Sequence, residues 1–171
     1  LLAPLVSEGA EVVAALQWLV QEMVRRDRKG IGSPRLVLAI DEVAEAIALG
    51  GAPVVEALTR LTQRGREAGV HVVAATQKPS AALLGPLMKA NLPVRLVGRV
   101  ASADDARVAT GIAGSGAERL AGGGDFLLVH SGHALRFQAA RTGAVDLETI
   151  TKGPVLAGHR SGARPPALRP W

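Results

Sequence analysis

Two short aliphatic runs, RLVLAI at residues 35–40 and VHVVAA at residues 70–75, constrain the fold more than any other feature. Neither alternates apolar with polar residues, so each reads as a strand buried on both faces, the habit of parallel sheets covered by helices. The segments between and around them fit that reading. Residues 8–28 place Val12, Leu16, Leu19, Val20 and Met23 on one helical face. A second helix is expected to open with Pro53 in its first turn and to run through Val55, Leu58 and Leu61 to about Ala68, where Gly69 stops it. A short helix near residues 81–90 then leads to a third strand at residues 94–100. This strand–helix–strand–helix–strand rhythm predicts an α/β fold with a mostly parallel sheet and crossover helices. Ser102 should cap a helix over residues 102–110, and residues 125–129 and 134–140 should close the domain as a hairpin around Ser131-Gly132. The expected division is a folded unit at residues 1–152 and a disordered, basic, Pro/Gly-rich tail at residues 153–171.

Composition narrows the chemistry. The 171 residues contain no cysteine, which removes disulfides, thiolate catalysis and cysteine-bound zinc. Trp18, Phe126, Phe137 and Trp171 are the only aromatics, so a site that stacks several bases on rings is excluded. The net charge is +5, but Arg160, Arg164 and Arg169 in the acid-free residues 155–171 supply three of those charges. The body is only mildly basic. No apolar run reaches the roughly 18 residues of a membrane span. His130 and His133 flank the hairpin turn without a third ligand nearby.

The residues that follow the two strands carry the chemistry. Asp41-Glu42 emerges at the carboxyl end of the first run, where open parallel sheets bind ligands. A first carboxylate there can hold the water shell of Mg²⁺ and the next can polarise a water for attack on a phosphoryl group, the Walker B arrangement. Helix-initiating acids are the plainer alternative. Thr76-Gln77 ends the second run and could set an amide beside a terminal phosphate, or satisfy backbone groups in a turn. Arg66 extends the semi-buried line of the second helix, either to reach a neighbouring subunit's phosphates or to cap the helix C-terminus.

Taken together these residues resemble the motor domain of the FtsK/SpoIIIE DNA translocases. The likeness runs through Asp41-Glu42, Arg60-Leu61, Gln63, Arg66, Ala68-Gly69-Val70-His71, Ala75-Thr76-Gln77-Lys78-Pro79-Ser80 and Lys89-Ala90-Asn91 with Pro93 and Arg95. It continues at Ser102, Asp105, Arg107, Gly116-Ala117-Glu118, Leu120, Gly122 and Gly124-Asp125, covering roughly residues 10–140.

The resemblance implies a RecA-like P-loop NTPase fold, an ATPase that uses ATP and Mg²⁺, and a hexameric ring that pumps double-stranded DNA. By position, Asp41 would hold the metal, Glu42 would be the general base, Thr76 and Gln77 would meet the phosphates with Gln77 as sensor, and Arg66 would be a finger supplied in trans. Lys78, Lys89 and Arg107 fall at basic positions that can face the DNA pore. A cytoplasmic location follows, at the inner face of the cell membrane where a preceding region supplies an anchor. The sequence departs from the family pattern in two places. Ala103 stands where a basic residue often follows the serine. No Gly-Lys-Ser/Thr occurs, since none of Lys29, Lys78, Lys89 and Lys152 follows a glycine. The expectation is therefore the C-terminal half of a motor, with the phosphate-binding loop upstream of Leu1 and poor nucleotide binding by the isolated chain. The alternatives are a conjugation coupling or protein-secretion ATPase of the same fold, and a non-catalytic assembly module.

Overall fold

The computed structural model describes residues 6–77, 91–144 and Asp146. Lys78, Lys89, the helix expected near residues 81–90 and the tail at residues 153–171 lie outside the described residues.

Helix α1 (Gly9–Lys29) buries Leu16, Leu19, Val20 and Met23, the stripe expected from its periodicity, and Gly30 ends it in the left-handed region (φ 64°). Strand β1 (Leu36–Ile40) follows, and then helix α2 (Val43–Arg64), strand β2 (Val70–Ala74) and strand β3 (Val94–Val97). β1 and β2 pair in parallel, with Leu36 opposite Val70 and Ile40 opposite Ala74. Leu36 and Val70 are buried, and Leu38, Ile40, Val72 and Ala74 pack against the same core as α1 and α2. Met23, Val54, Leu58 and Leu61 sit at its centre, each at most 2% exposed.

α2 differs from the expected helix at both ends. It starts ten residues before Pro53, directly after Glu42, and is broken at Gly51 (φ 60°, ψ −144°), a conformation that residues with a Cβ do not adopt. Pro53 does stand in the first turn, but of the second segment only. The helix ends at Arg64, because the chain turns at Gly65, where a Cβ would lie 2.7 Å from Val70 O. Arg66 is therefore in an exposed turn and not on a semi-buried helical line.

The second half holds helix α3 (Ala103–Thr110) and the strands β4 (Asp125–His130) and β5 (His133–Gln138). Ser102 caps α3 as expected, its Oγ accepting from the Asp105 N–H at 3.1 Å. The hairpin is closed by Ser131 (φ 50°) and Gly132 (φ 78°), two positive-φ residues as a tight type I′ turn requires. β3 pairs antiparallel with β4, so the mostly parallel expectation holds for β1 and β2 but not for the third strand. The reason is local: the β4–β5 hairpin leaves the far edge of β4 open, and β3 fills it over four residue pairs. Val97, Leu127 and Val129 then close over Ala106, Ala109, Ala117 and Leu120 in a second core.

Both strand groups keep an open apolar row. Val37 and Val73 on β1 and β2 are 66% and 59% exposed, and Leu96 and Leu135 on β3 and β5 are 64% and 63% exposed. The aliphatic runs promise cover on both faces. Among the described residues one face of the β1–β2 pair is covered.

Candidate nucleotide-hydrolysis site

The parallel register decides what meets at the ends of β1 and β2. Backbone pairing continues past the strands, with Ala75 N–H donating to Ile40 O and Val43 N–H to Ala75 O, both at 2.8 Å. This draws residues 41–43 alongside residues 75–77. Glu42 caps α2, accepting from the Ala44 N–H at 3.2 Å through Oε1. The same oxygen accepts a short hydrogen bond from the Thr76 hydroxyl. Oε2 accepts from the backbone N–H of Gln77 at 2.9 Å. The carboxylate is thus held in one orientation by donors from two segments. Glu42 caps the helix, the plainer of its two sequence readings, while the same carboxylate also bonds the end of β2.

Asp41 is exposed and makes no ion pair or side-chain hydrogen bond among the described residues. An exposed carboxylate beside a fixed one, at the carboxyl end of a parallel pair, suits a hydrated divalent cation, which needs one or two carboxylates and otherwise water and phosphate oxygens. Among the described residues no cluster of three or more ligating side chains exists. The Gln77 side chain is exposed next to the cluster.

Arg66 lies elsewhere. The turn at residues 65–69 precedes β2, whereas Asp41-Glu42 follow β1, so the two sit at opposite ends of a parallel pair about 16 Å long at the usual rise per residue. Arg107 is on α3, away from the cluster, exposed and 3.7 Å from Asp104. Of the eight predicted residues, the structure brings together Asp41, Glu42, Thr76 and Gln77, sets Arg66 and Arg107 apart, and leaves Lys78 and Lys89 outside the described residues.

The sequence reading missed a buried ionic knot. Arg26 is 5% exposed and donates to Glu22 Oε1 (2.8 Å), Pro34 O (2.6 Å) and Ala68 O (3.4 Å). Its signal was present: Arg26 continues the apolar stripe three positions after Met23. Glu22 also takes two bonds from Arg25, which with Arg26 hold its carboxyl down at about 2.

No protein-family model matches the chain. Two solved structures share its fold. The conjugation coupling protein TcpA of pCW3, solved with ATPgS, superposes at TM-score 0.70 and 22% identity over 78% of this chain and 45% of its own. The cytoplasmic domain of the type VII secretion ATPase EccC of Thermomonospora curvata superposes at TM-score 0.70 and 26% identity, over 88% of this chain and 20% of its own. The strand-end acids and this architecture define an α/β domain of the P-loop ATPase class. Within that class, the chain is 33% identical to the DNA translocase FtsK of Sporosarcina ureae over 88% of this chain and 23% of that protein. It is 35% identical to the DNA translocase SftA of Bacillus subtilis over 77% of this chain and 16% of that protein. The chain is a homologue of the FtsK-type DNA translocases, and it spans less than a quarter of the length of these relatives.

Proposed function

We propose that the protein is an ATP-driven double-stranded DNA translocase of the FtsK/SpoIIIE type, to which this chain contributes the hydrolytic part of the motor core at residues 1–152. The carrying observation is the Thr76–Glu42–Gln77 cluster at the carboxyl ends of two parallel strands. Glu42 is the general base that takes a proton from the attacking water, and its bonds to Thr76 and Gln77 hold the carboxylate in one orientation for that water. Asp41 would hold a Mg²⁺ ion, which would supply charge neutralisation for the phosphate. Gln77 couples the phosphate to the base, since its own N–H bonds Glu42. Thr76 keeps the carboxylate in place.

Arg66 acts in trans. Its exposed place at the far end of the strand pair supports this, because that end lies away from its own acids. A ring, hexameric in this reading, supplies that neighbour. Lys78, Lys89 and Arg107 contact the DNA backbone, giving salt-dependent and sequence-independent affinity. The phosphate cradle comes from outside these 171 residues, and the chain by itself binds ATP weakly. A cytoplasmic placement goes with this reading. Among the described residues no helix is long and apolar enough to cross a membrane.

The test is ATP turnover by the full-length protein with and without double-stranded DNA. Stimulation by DNA that disappears in Glu42→Gln supports the proposal, and equal turnover in the variant overturns it. The fold likeness to coupling and secretion ATPases favours a second reading, the same ring engine with another cargo. Glu42-dependent turnover that DNA leaves unchanged would select it.

A further inference from the structure

We infer that Arg26, held by Glu22, is a positioning residue for Arg66; this rests on the assignment of Arg66 as a finger in trans. A guanidinium is costly to bury unless its donors are met, so a 5% exposed arginine marks a place where something must be tied down. The two carbonyls that Arg26 grips belong to the segments leading into β1 (Pro34) and β2 (Ala68). Ala68 lies in the turn that presents Arg66, two residues along.

Besides the packing of Ala68 in the core, the other hydrogen bonds that fasten this turn among the described residues are made by backbone. Val70 N–H donates to Gly65 O at 2.7 Å, Gly69 N–H to Arg66 O at 3.1 Å, and Leu36 N–H to Gly69 O at 2.8 Å. Gly69 (φ 69°) rests directly on Gly32, where a Cβ would come within 2.2 Å of Gly32 O. The Arg64–Asp27 pair at 2.7 Å also joins α1 to this end of α2, but both partners are exposed and such pairs add little. Arg26 is the one buried side chain among the described residues that bonds both segments. The Arg66 side chain itself is exposed and makes no ion pair among the described residues, so its aim depends on the backbone beneath it. A displacement of about 1 Å in a reacting group can cost on the order of a hundredfold in rate. Loss of Arg26 would misplace Arg66 while leaving Glu42, at the other end of the strands, intact.

Subunit mixing in the full-length protein tests this. Arg26→Met alone should lower ATP turnover at least about tenfold with the KM for ATP unchanged. Mixed with Glu42→Gln subunits, which are inactive but carry an undisturbed Arg66, it should regain turnover, because each intact Glu42 then meets a well-placed finger. Arg66→Ala mixed with Glu42→Gln is the reference and should regain turnover in the same way. Glu22→Gln keeps Arg26 and its bonds to Pro34 O and Ala68 O but removes the charge that holds it, should show the same pattern with a smaller loss, and decides the matter if Arg26→Met does not fold. Regain in the Arg66→Ala mixture but none with Arg26→Met or Glu22→Gln overturns the positioning role and leaves the finger standing. No regain in the Arg66→Ala mixture overturns the finger, and this inference with it. Full turnover by Arg26→Met alone also overturns the inference.

Discussion

Glu42 serves three donors with one carboxylate: the first turn of α2, the Thr76 hydroxyl and the Gln77 backbone. An amide at this position would turn a donor of its own toward groups that donate. Glu42→Gln should therefore reduce turnover of the full-length protein about a hundredfold or more while ATP binding, followed by equilibrium titration, persists. Thr76→Val removes a hydroxyl bonded to a charged group. It should slow turnover about tenfold, the rate equivalent of most of such a bond, and Thr76→Ser should restore it. Asp41, Glu42, Thr76 and Gln77 were all legible in the sequence, because an aliphatic run that stops abruptly announces where its polar successors emerge. The bonds among Glu42, Thr76 and Gln77 were not legible, since these need the parallel register that sets Ile40 beside Ala74. Arg66 was legible as a residue but misplaced on a semi-buried helical line, because the turn begins at Gly65 and not at Gly69.

At the level of elements, α2 shows what periodicity hides. The sequence reading began the helix at Pro53, so the roughly two turns after Glu42 escaped notice, although Val43, Ala46 and Ile47 all pack inward. The break at Gly51 keeps both segments on one core, with Val54 fully buried just after it. Gly51→Ala should destabilise by about 1–3 kcal/mol, read from urea unfolding followed by helical circular dichroism. Leu61→Ala, 1% exposed in the same core, should cost about 2–5 kcal/mol by the same measurement. The direction of β3 was equally out of reach: a short aliphatic strand carries no mark of which neighbour it will choose, and the open edge of a hairpin decided it.

At the scale of the molecule, Glu22 and Asp125 are two carboxylates among the described residues held far below their ordinary range. Glu22 is kept at about 2 chiefly by its bonds from Arg25, and Asp125 at about 2 chiefly by the paired bonds from Arg136, helped by the Ala121 N–H. A carboxyl that binds its proton less readily when folded adds stability above its unfolded value and loses it as pH falls toward the folded one. Stability should therefore decline from about pH 4.5 to pH 2. Glu22→Gln and Asp125→Asn should each flatten that decline in acid titrations monitored by circular dichroism.

The bare valine and leucine rows bear on how the polypeptide is handled. Val37, Val73, Leu96 and Leu135 leave stripes of hydrocarbon wet on both strand groups. Produced as these 171 residues, it should brighten the dye ANS and self-associate as concentration rises, both visible by fluorescence and light scattering. Stickiness of that kind is a nuisance in a test tube, and burying those stripes would quench both signals without changing a single charge.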